Sequence, residues 1–424
     1  MASTFATAAG STAAVDPAAL TVGVEEEFLL ADPDTGVNRP VAEQVTAALS
    51  DGVRGQSHLA VRRSIVEMVT GVCTHLADVR AELTALRRAA ADAADEAGAR
   101  LVAIGATPVG EPEPAVPPGR RYQAMADRYG PVALDPAVCG LHAHVGVPDR
   151  ELAVQVCNHL QAWLPVIRAL GGNSPLYQGA DTGHASWRSV QLLRWPGCRT
   201  HPSFDSAADY HRTVAALIVA GVMLDEAMVY WYARLSPTYP TVEVRVSDVC
   251  ADVDDPVLTA ALIRAAVATA IADIRAGHPA PRPRERVVAA AHWRAARDGL
   301  SHTLIDLRLD RARPAWDLVD EFFAVVSPAL LHAGDLLWWS TGWPGCVGAV
   351  TARSGSGNRF AAPATCRLSW PAWPRRPSRD DGLPRISRFS YGCAGPVGVW
   401  RKASVRRETT DWSAGELDGP RRVR

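Results

Sequence analysis

Three short segments constrain this chain more than anything else in it. Each alternates apolar residues with chemically potent ones at the two-residue period of a β-strand. In TVGVEEEFLL (21–30), Val22, Val24, Phe28 and Leu30 share one face, and Glu25 and Glu27 point to the other. In GLHAHVGVP (140–148), Leu141, Ala143, Val145 and Val147 share a face opposite His142 and His144. In TVEVRVSDV (241–249), Val242, Val244 and Val246 lie opposite Glu243 and Arg245. RRSIVEM (62–68) is a weaker fourth case, with Glu67 opposite Ser64, Val66 and Met68 but on the side of Ile65. Any antiparallel sheet with one wet face alternates in this way. Such a face ordinarily carries Thr, Lys, Ser and Gln, whereas these carry E-x-E, H-x-H and E-x-R.

If the strands are neighbours, four carboxylates, two imidazoles and a guanidinium converge. Crowded, buried carboxylates repel one another and resist ionisation unless cations sit among them. An oxygen-rich donor set with few His ligands suits Mg²⁺ or Mn²⁺. Such ions neutralise phosphate charge in phosphoryl transfer. The H-x-H pair with a distant Glu also fits a metal-dependent hydrolase or an iron oxygenase, a reading that leaves the E-x-E strand and Arg245 without a role.

Composition narrows the cations. The chain has 44 basic residues, and only Lys402 is a lysine, so a P-loop or Schiff-base lysine is excluded before that position. Cationic chemistry falls to Arg, His or a metal. A net charge of −1 gives no bias toward nucleic acid or a membrane surface. Eight cysteines are scattered without a CxxC, as free thiols of a reducing, cytoplasmic setting. No apolar run reaches the ~18 residues of a membrane span. Residues 1–18 are Ala/Thr-rich, without a basic start or a continuous apolar stretch. They read as a disordered lead-in rather than a signal peptide.

Along the chain, residues 58–69 and 101–108 read as further strands, and 111–120 as a Pro-rich loop. Residues 76–98, 149–170, 206–234 and 256–276 read as helices, and 173–205 as a long polar loop. Helices and strands without a βαβ rhythm indicate an α+β fold. From Leu337 the texture changes: seven of the 13 tryptophans follow, amid Pro, Gly and Arg with no period. Residues 19–335 are therefore taken as one domain, and 336–424 as an atypical Trp/Pro/Arg-rich tail, disordered or read out of frame.

VGVEEEFLLADPDTG, CGLHAHVGVPDRE, LGGNSPLYQGADTGHASWRS, RWPGC and YPTVEVRVSDVCADVDDPV occur in this order. Together they resemble the carboxylate–amine ligase family, the second type of glutamate–cysteine ligase, distantly related to glutamine synthetase. The resemblance implies a glutamine-synthetase-like antiparallel catalytic sheet flanked by helices. It also implies ATP, Mg²⁺ or Mn²⁺, and amino-acid substrates. L-glutamate and L-cysteine would be joined through an acyl phosphate, and the chain would form a homodimer without nucleic-acid or membrane partners. Glu25, His142 and Glu243 would hold the metal that bridges the ATP phosphates. Glu27 and Glu67 would hold the metal near the substrate carboxylate. His144 would touch nucleotide or phosphate, Arg245 would stabilise the transferred phosphoryl group, and Arg188 and Arg194 would take the amino-acid carboxylate. The resemblance stops near Asp335, before helices with which the family continues. A site without that support loses activity, so a degenerate, non-catalytic member is the alternative.

Other residues read as structural. Glu26 lies on the apolar side of its strand and would be paired or at an edge. Asp248 and the acidic run 252–255 would cap the next helix. Asn173 and Ser174 would form a turn, and Trp187 and Trp195 would pack loops. Cys139 has nothing beside it to make a nucleophile.

Overall fold

The computed structural model describes residues 20–336, together with the backbone of the antiparallel pair Tyr391–Ala394 and Val399–Lys402. The readings made for residues 1–18 and for the tail after Leu336 lie outside the described residues. The chain begins with β1 (Val22–Ala31), followed by two short helices, α1 (Ala42–Ala48) and α2 (Asp51–Arg54). Two strands come next, β2 (Ser57–Leu59) and β3 (Ile65–Val69), so the strand read over 58–69 is broken in the middle. Helix α3 (Leu76–Glu96) presents Leu76, Val79, Leu83, Leu86 and Ala90 to the core at helical spacing. It stops where Gly98 takes a φ of 69°, a conformation open to glycine. Strand β4 (Arg100–Val102), helix α4 (Arg120–Tyr129) and strand β5 (Gly140–Gly146) follow.

The helix read over 149–170 is two helices. In α5 (Arg150–Leu160) the Asp149 carboxylate accepts from the backbone N–H groups of Glu151 and Leu152. Pro165 sits in the first turn of α6 (Leu164–Leu170), where its missing N–H costs nothing. The supposed loop 173–205 contains a small hairpin, β6 (Leu176–Tyr177) with β7 (Ala180–Asp181), and a helix, α7 (Trp187–Leu192), capped by Ser186. The helix read over 206–234 ends early. It is α8 (Ala207–Val219), and the remainder turns into strand β8 (Ala233–Leu235). After β9 (Thr241–Asp248) come α9 (Asp254–Arg275), α10 (Glu285–Asp298), the hairpin β10 (Thr303–Asp306) with β11 (Arg311–Pro314), and α11 (Ala315–His332).

One antiparallel sheet organises these elements, in the order β2–β3–β1–β5–β9–β8, with β4 paired to the far end of β1. One face is apolar. Val22, Val24, Leu141, Ala143, Val145, Val242 and Val244 are buried in a core they share with α5 and α9. Helix α9 is long and apolar enough to cross a membrane, but most of it is buried in this core. Glu26 also lies on the covered face, where Arg87 of α3 donates to it at 2.6 and 2.8 Å. The other face opens into a cleft of about 530 Å³, which residues of α4, α6 and α7 also line.

Candidate active site

The strand register aligns the potent side chains in rungs across the open face. Glu27 of β1 stands opposite Glu67 of β3, and Glu25 opposite His142 of β5. His144 stands opposite Glu243 of β9, which is opposite Arg234 of β8. Cross-strand partners share a face, so adjacency alone brings the E-x-E, H-x-H and E-x-R strands together. All of Glu25, Glu27, Glu67, His142, His144, Arg188, Arg194, Glu243 and Arg245 line the one cleft.

A β-bulge breaks the ladder between β5 and β9. Leu141 pairs with Ser247 but Ala143 pairs with Val244, so Arg245 and Val246 together oppose the single His142. A bulge bends its strand and re-aims side chains. Here it turns the Arg245 guanidinium to within 3.4 Å of His142 Nδ1 and into an ion pair with Glu243. It also inverts the faces beyond it. Strict alternation puts Asp248 with the core valines; after the bulge, Asp248 stands opposite Gly140, on the side of the two histidines.

Asp248 is therefore not a helix cap. It is fully buried and accepts from Asn173 N at 2.9 Å, Ser174 Oγ at 2.6 Å and Ser186 Oγ at 2.8 Å. It ties the 173–189 segment to the end of β9. Arg188, carried by that segment, places its guanidinium over Gly140, where any Cβ would stand 2.1 Å from its terminal nitrogen. The N–H of Gly140 donates to Glu27 Oε2 at 2.6 Å, so Arg188 and Glu27 meet at the same residue. Arg194 behaves differently: it is half-exposed and paired with Asp135 at the cleft wall. Trp195 lines the cleft against Tyr129 and Tyr230, whereas Trp187 packs on Tyr177 and His184. Cys139 is buried, and burial pushes its thiol well above the ordinary value, so it is no nucleophile.

Opposed charges set the ionisation of the cluster. Burial pushes Glu25 up, but the hydrogen bonds and charges of His142 and His144 hold it far below the usual carboxylate range. Glu243 is held low against burial by Arg245 and Arg234, the latter donating at 2.8 and 3.2 Å. Glu67 goes the other way: burial and the neighbouring charges of Glu25 and Glu27 raise it well above the normal range. Burial and Arg245 keep His142 low, whereas Glu243 and Glu25 raise His144 against burial. The Thr241 hydroxyl lies 2.9 Å from His144 Nδ1, which leaves Nε2 facing Glu25 Oε1 at 3.0 Å.

Two donor groups within this cluster have ligand atoms no more than 4.8 Å apart. One is Glu25, Glu67 and His142; the other is Glu25, His144 and Glu243. Glu25 belongs to both. This grouping differs from the one the resemblance implied, because His142 falls with Glu67 and Glu27 is turned onto Gly140. The Nε2 atoms of both histidines are buried without an aligned hydrogen bond among the described residues. Mostly carboxylate donors, a buried His142 Nε2 without a hydrogen-bond partner among the described residues, and a Glu67 carboxyl raised by burial and by its neighbours fit a hard divalent cation. Arg234, Asp248, Thr241 and Gly140 are site residues that strand alternation did not single out. Arg234 sat in what read as helix, and the other three depend on register.

Comparison with known proteins gives the chain a family and its fold solved relatives. The family described as glutamate–cysteine ligase family 2 matches residues 21–335. A Salinispora arenicola protein named "Putative glutamate–cysteine ligase 2" is 62% identical over 320 residues, covering 76% of this chain and 85% of that one. One from Mycobacterium sp. strain KMS, named "Putative glutamate–cysteine ligase 2-2", is 46% identical over 317 residues, covering 74% and 86%. Among solved structures, the glutamate–cysteine ligase of Francisella tularensis in complex with AMP matches with a TM-score of 0.51 at 14% identity, over 74% of this chain and 78% of that one. A bifunctional glutathione synthetase from Pasteurella multocida matches with a TM-score of 0.55 at 14% identity, over 75% of this chain and 46% of that one. The α+β architecture, an antiparallel sheet flanked by helices, is shared with these enzymes.

Proposed function

The chain belongs to glutamate–cysteine ligase family 2, a family of carboxylate–amine ligases, and from that membership we propose that it joins L-glutamate to L-cysteine with ATP as the driving substrate. The observation that carries this reading is the cation-ready face around Glu25, flanked by Arg245 in a cleft of small-molecule size. In the ligation, a carboxylate oxygen of glutamate bonds to the γ-phosphorus of ATP and ADP leaves. The cysteine nitrogen then bonds to the acyl carbon, inorganic phosphate leaves, and the amine gives up a proton.

The protein needs no nucleophile for either step. Its work is to position anions and to neutralise the charge that moves between them. Glu25 with Glu67 and His142, and Glu25 with His144 and Glu243, would hold Mg²⁺ or Mn²⁺. Bound there, the ions would neutralise phosphate oxygens and orient the reacting carboxylate. Arg245, fixed by Glu243 and by the bulge, offers its guanidinium to the transferred phosphoryl group. Arg234 shares Glu243 with Arg245 from the far side of its strand pair, so that the carboxylate carries two guanidiniums and Arg245 keeps part of its charge for the substrate. Thr241 holds the His144 ring so that Nε2 faces the cluster. Arg188 would take the amino-acid carboxylate, and Arg194, paired with Asp135, would join it only on giving up that partner.

The test is ADP release by the purified full chain with ATP, Mg²⁺, L-glutamate and a panel of amines. ADP should form only when glutamate and a thiol amino acid are both present, with γ-glutamylcysteine seen by mass. Arg245→Met should lower kcat by at least about 100-fold. No amino-acid-dependent ADP would point to a non-catalytic family member. Turnover without ATP would point to hydrolase chemistry instead.

A further inference from the structure

Residues 116–132 leave the body of the chain and return to the same place. Just before them Ala115 O accepts from the N–H of Arg63 at 3.0 Å, and just after them Arg62 donates to the carbonyls of Ala133 and Asp135. Arg62 and Arg63 belong to the turn between β2 and β3, so both roots of the excursion sit at one end of the sheet. Between the roots runs α4, and Arg121 and Tyr122 in its first turn line the cleft. Its far contacts fall on the stretch ahead of β8, at the opposite end of the sheet. Arg121 donates to both carboxylate oxygens of Asp225 at 2.8 and 3.2 Å, Arg128 to Gly221 O, and the Tyr129 hydroxyl to Val222 O at 3.0 Å. Ala227 and Tyr230 of that stretch line the cleft from their side. The excursion is therefore a strap that crosses the open face from one edge of the sheet to the other.

The strap is held only lightly. Among the described residues, no backbone hydrogen bond ties 116–132 to chain outside 116–134. Of the ten residues of α4 only Met125 is fully buried, and methionine is an apolar side chain that repacks readily. Gly119 and Gly130, with φ of 136° and 51°, stand at the two ends of the helix, where the chain can pivot. The side chains of Arg121 and Asp225 are 41% and 40% exposed, and an ion pair in that much water is a weak tie. The opposite lip is firm. Arg234 donates to the carbonyls of Ala227 and Val229 at 3.0 and 2.8 Å while it holds Glu243, and Met223, Met228 and Val229 are buried.

We infer that residues 116–132 are a gate over the cleft: α4 swings about Gly119 and Gly130, and the Arg121–Asp225 pair latches it to the lip ahead of β8. The inference goes beyond the ligase reading and needs only that ligands bind in the cleft. Asp225 lies off the cleft wall, so removing its charge takes no contact from a ligand. A latch that closes over the empty and the filled cleft alike has no differential affinity to give. It sets instead how fast ligands enter and leave, and it moves both rates together.

The experiment compares wild type, Asp225→Asn and the charge-swapped Arg121→Asp/Asp225→Arg as full chains, with N-methylanthraniloyl ADP and Mg²⁺ as the fluorescent probe. In stopped flow, association and release should both quicken about 3-fold in Asp225→Asn, with Kd changed by less than about 1.5-fold. Both rates should return toward wild type in the swapped pair. Unchanged rate constants overturn the inference. A change in release alone overturns it too and assigns Arg121 to the nucleotide. Unliganded thermal midpoints show whether the variants fold. A second readout needs no ligand. Trypsin reaches the bond after Arg120, at the start of α4, through the open state, so this cleavage of the native protein should run about 3-fold faster in Asp225→Asn. If wild type binds no nucleotide, the ligase reading fails; the cleavage arm still decides the gate, and equal rates in wild type and Asp225→Asn overturn it.

Discussion

Asp248 offers the sharpest test of how the site is held. Its carboxylate accepts three hydrogen bonds, from Asn173 N, Ser174 Oγ and Ser186 Oγ, and faces Arg188. Asp248→Ala leaves one backbone N–H and two hydroxyls without their acceptor in a dry interior. At roughly 1–2 kcal/mol for each orphaned donor, the cost is about 4 kcal/mol. Asp248→Asn keeps the shape and an acceptor oxygen for Asn173 N and Ser174, and Ser186 can turn to accept from the new amide. Its cost should be about 1 kcal/mol, chiefly the lost attraction to Arg188. Calorimetry then expects Asp248→Ala to melt about 6 °C below wild type and Asp248→Asn about 1–2 °C below. Both variants should also bind glutamate more weakly, because Arg188 is positioned through the same carboxylate. If the two midpoints coincide within about 1 °C, Asp248 is not the tie between the 173–189 segment and β9, and the argument from the bulge fails.

Four further outcomes follow from the same geometry. Glu67 is raised by burial and by Glu25 and Glu27, so its contribution to stability is complete below the unfolded value near 4.5 and is lost as pH rises toward the folded value. In EDTA, Glu67→Gln should remove a slope of about 1.4 kcal/mol per pH unit from the stability profile above that pH, and parallel profiles would refute it; Mg²⁺ added to wild type at neutral pH should release protons, measurable by titration in buffers of different ionisation enthalpy. Arg234→Met strips Glu243 of its bidentate partner and should destabilise the fold by about 3 kcal/mol, an effect that Glu243→Gln in the same chain should partly reverse. Gly140→Ala drives a methyl group into the Arg188 guanidinium and should raise KM for the acid substrate while shifting the thermal midpoint by less than Asp248→Ala does.

The charged face of the sheet was legible because it is built from strands with period-2 alternation. Glu25, Glu27, His142, His144 and Glu243 needed only that rule to be placed opposite the core valines, and the observed pairing of β1 with β5 and of β5 with β9 makes them neighbours. Glu26 was legible in the same way, as the charged residue on the wrong side that must find a partner, and Arg87 supplies it. The resemblance added the family and the α+β sheet, which local pattern alone could not order.

What the sequence determined by itself was which side chains each strand presents, because alternation is a property of the chain and needs no partner. Helix limits were read less well. Pro165 restarts a helix inside one apolar run, and α8 stops at Val219 because Gly221 takes a φ of 70°, after which the chain turns to pair β8 with β9. Only the tertiary structure could decide Asp248, Arg234 and Arg168. Asp248 changes faces because β9 carries one more residue than β5 across from His142, a mismatch that exists only once two strands are paired. Arg234 matters because its neighbour across the sheet is Glu243. Arg168 stands out because of what folding leaves off it: a guanidinium is unremarked in a sequence and conspicuous once buried with no carboxylate within ion-pair distance among the described residues.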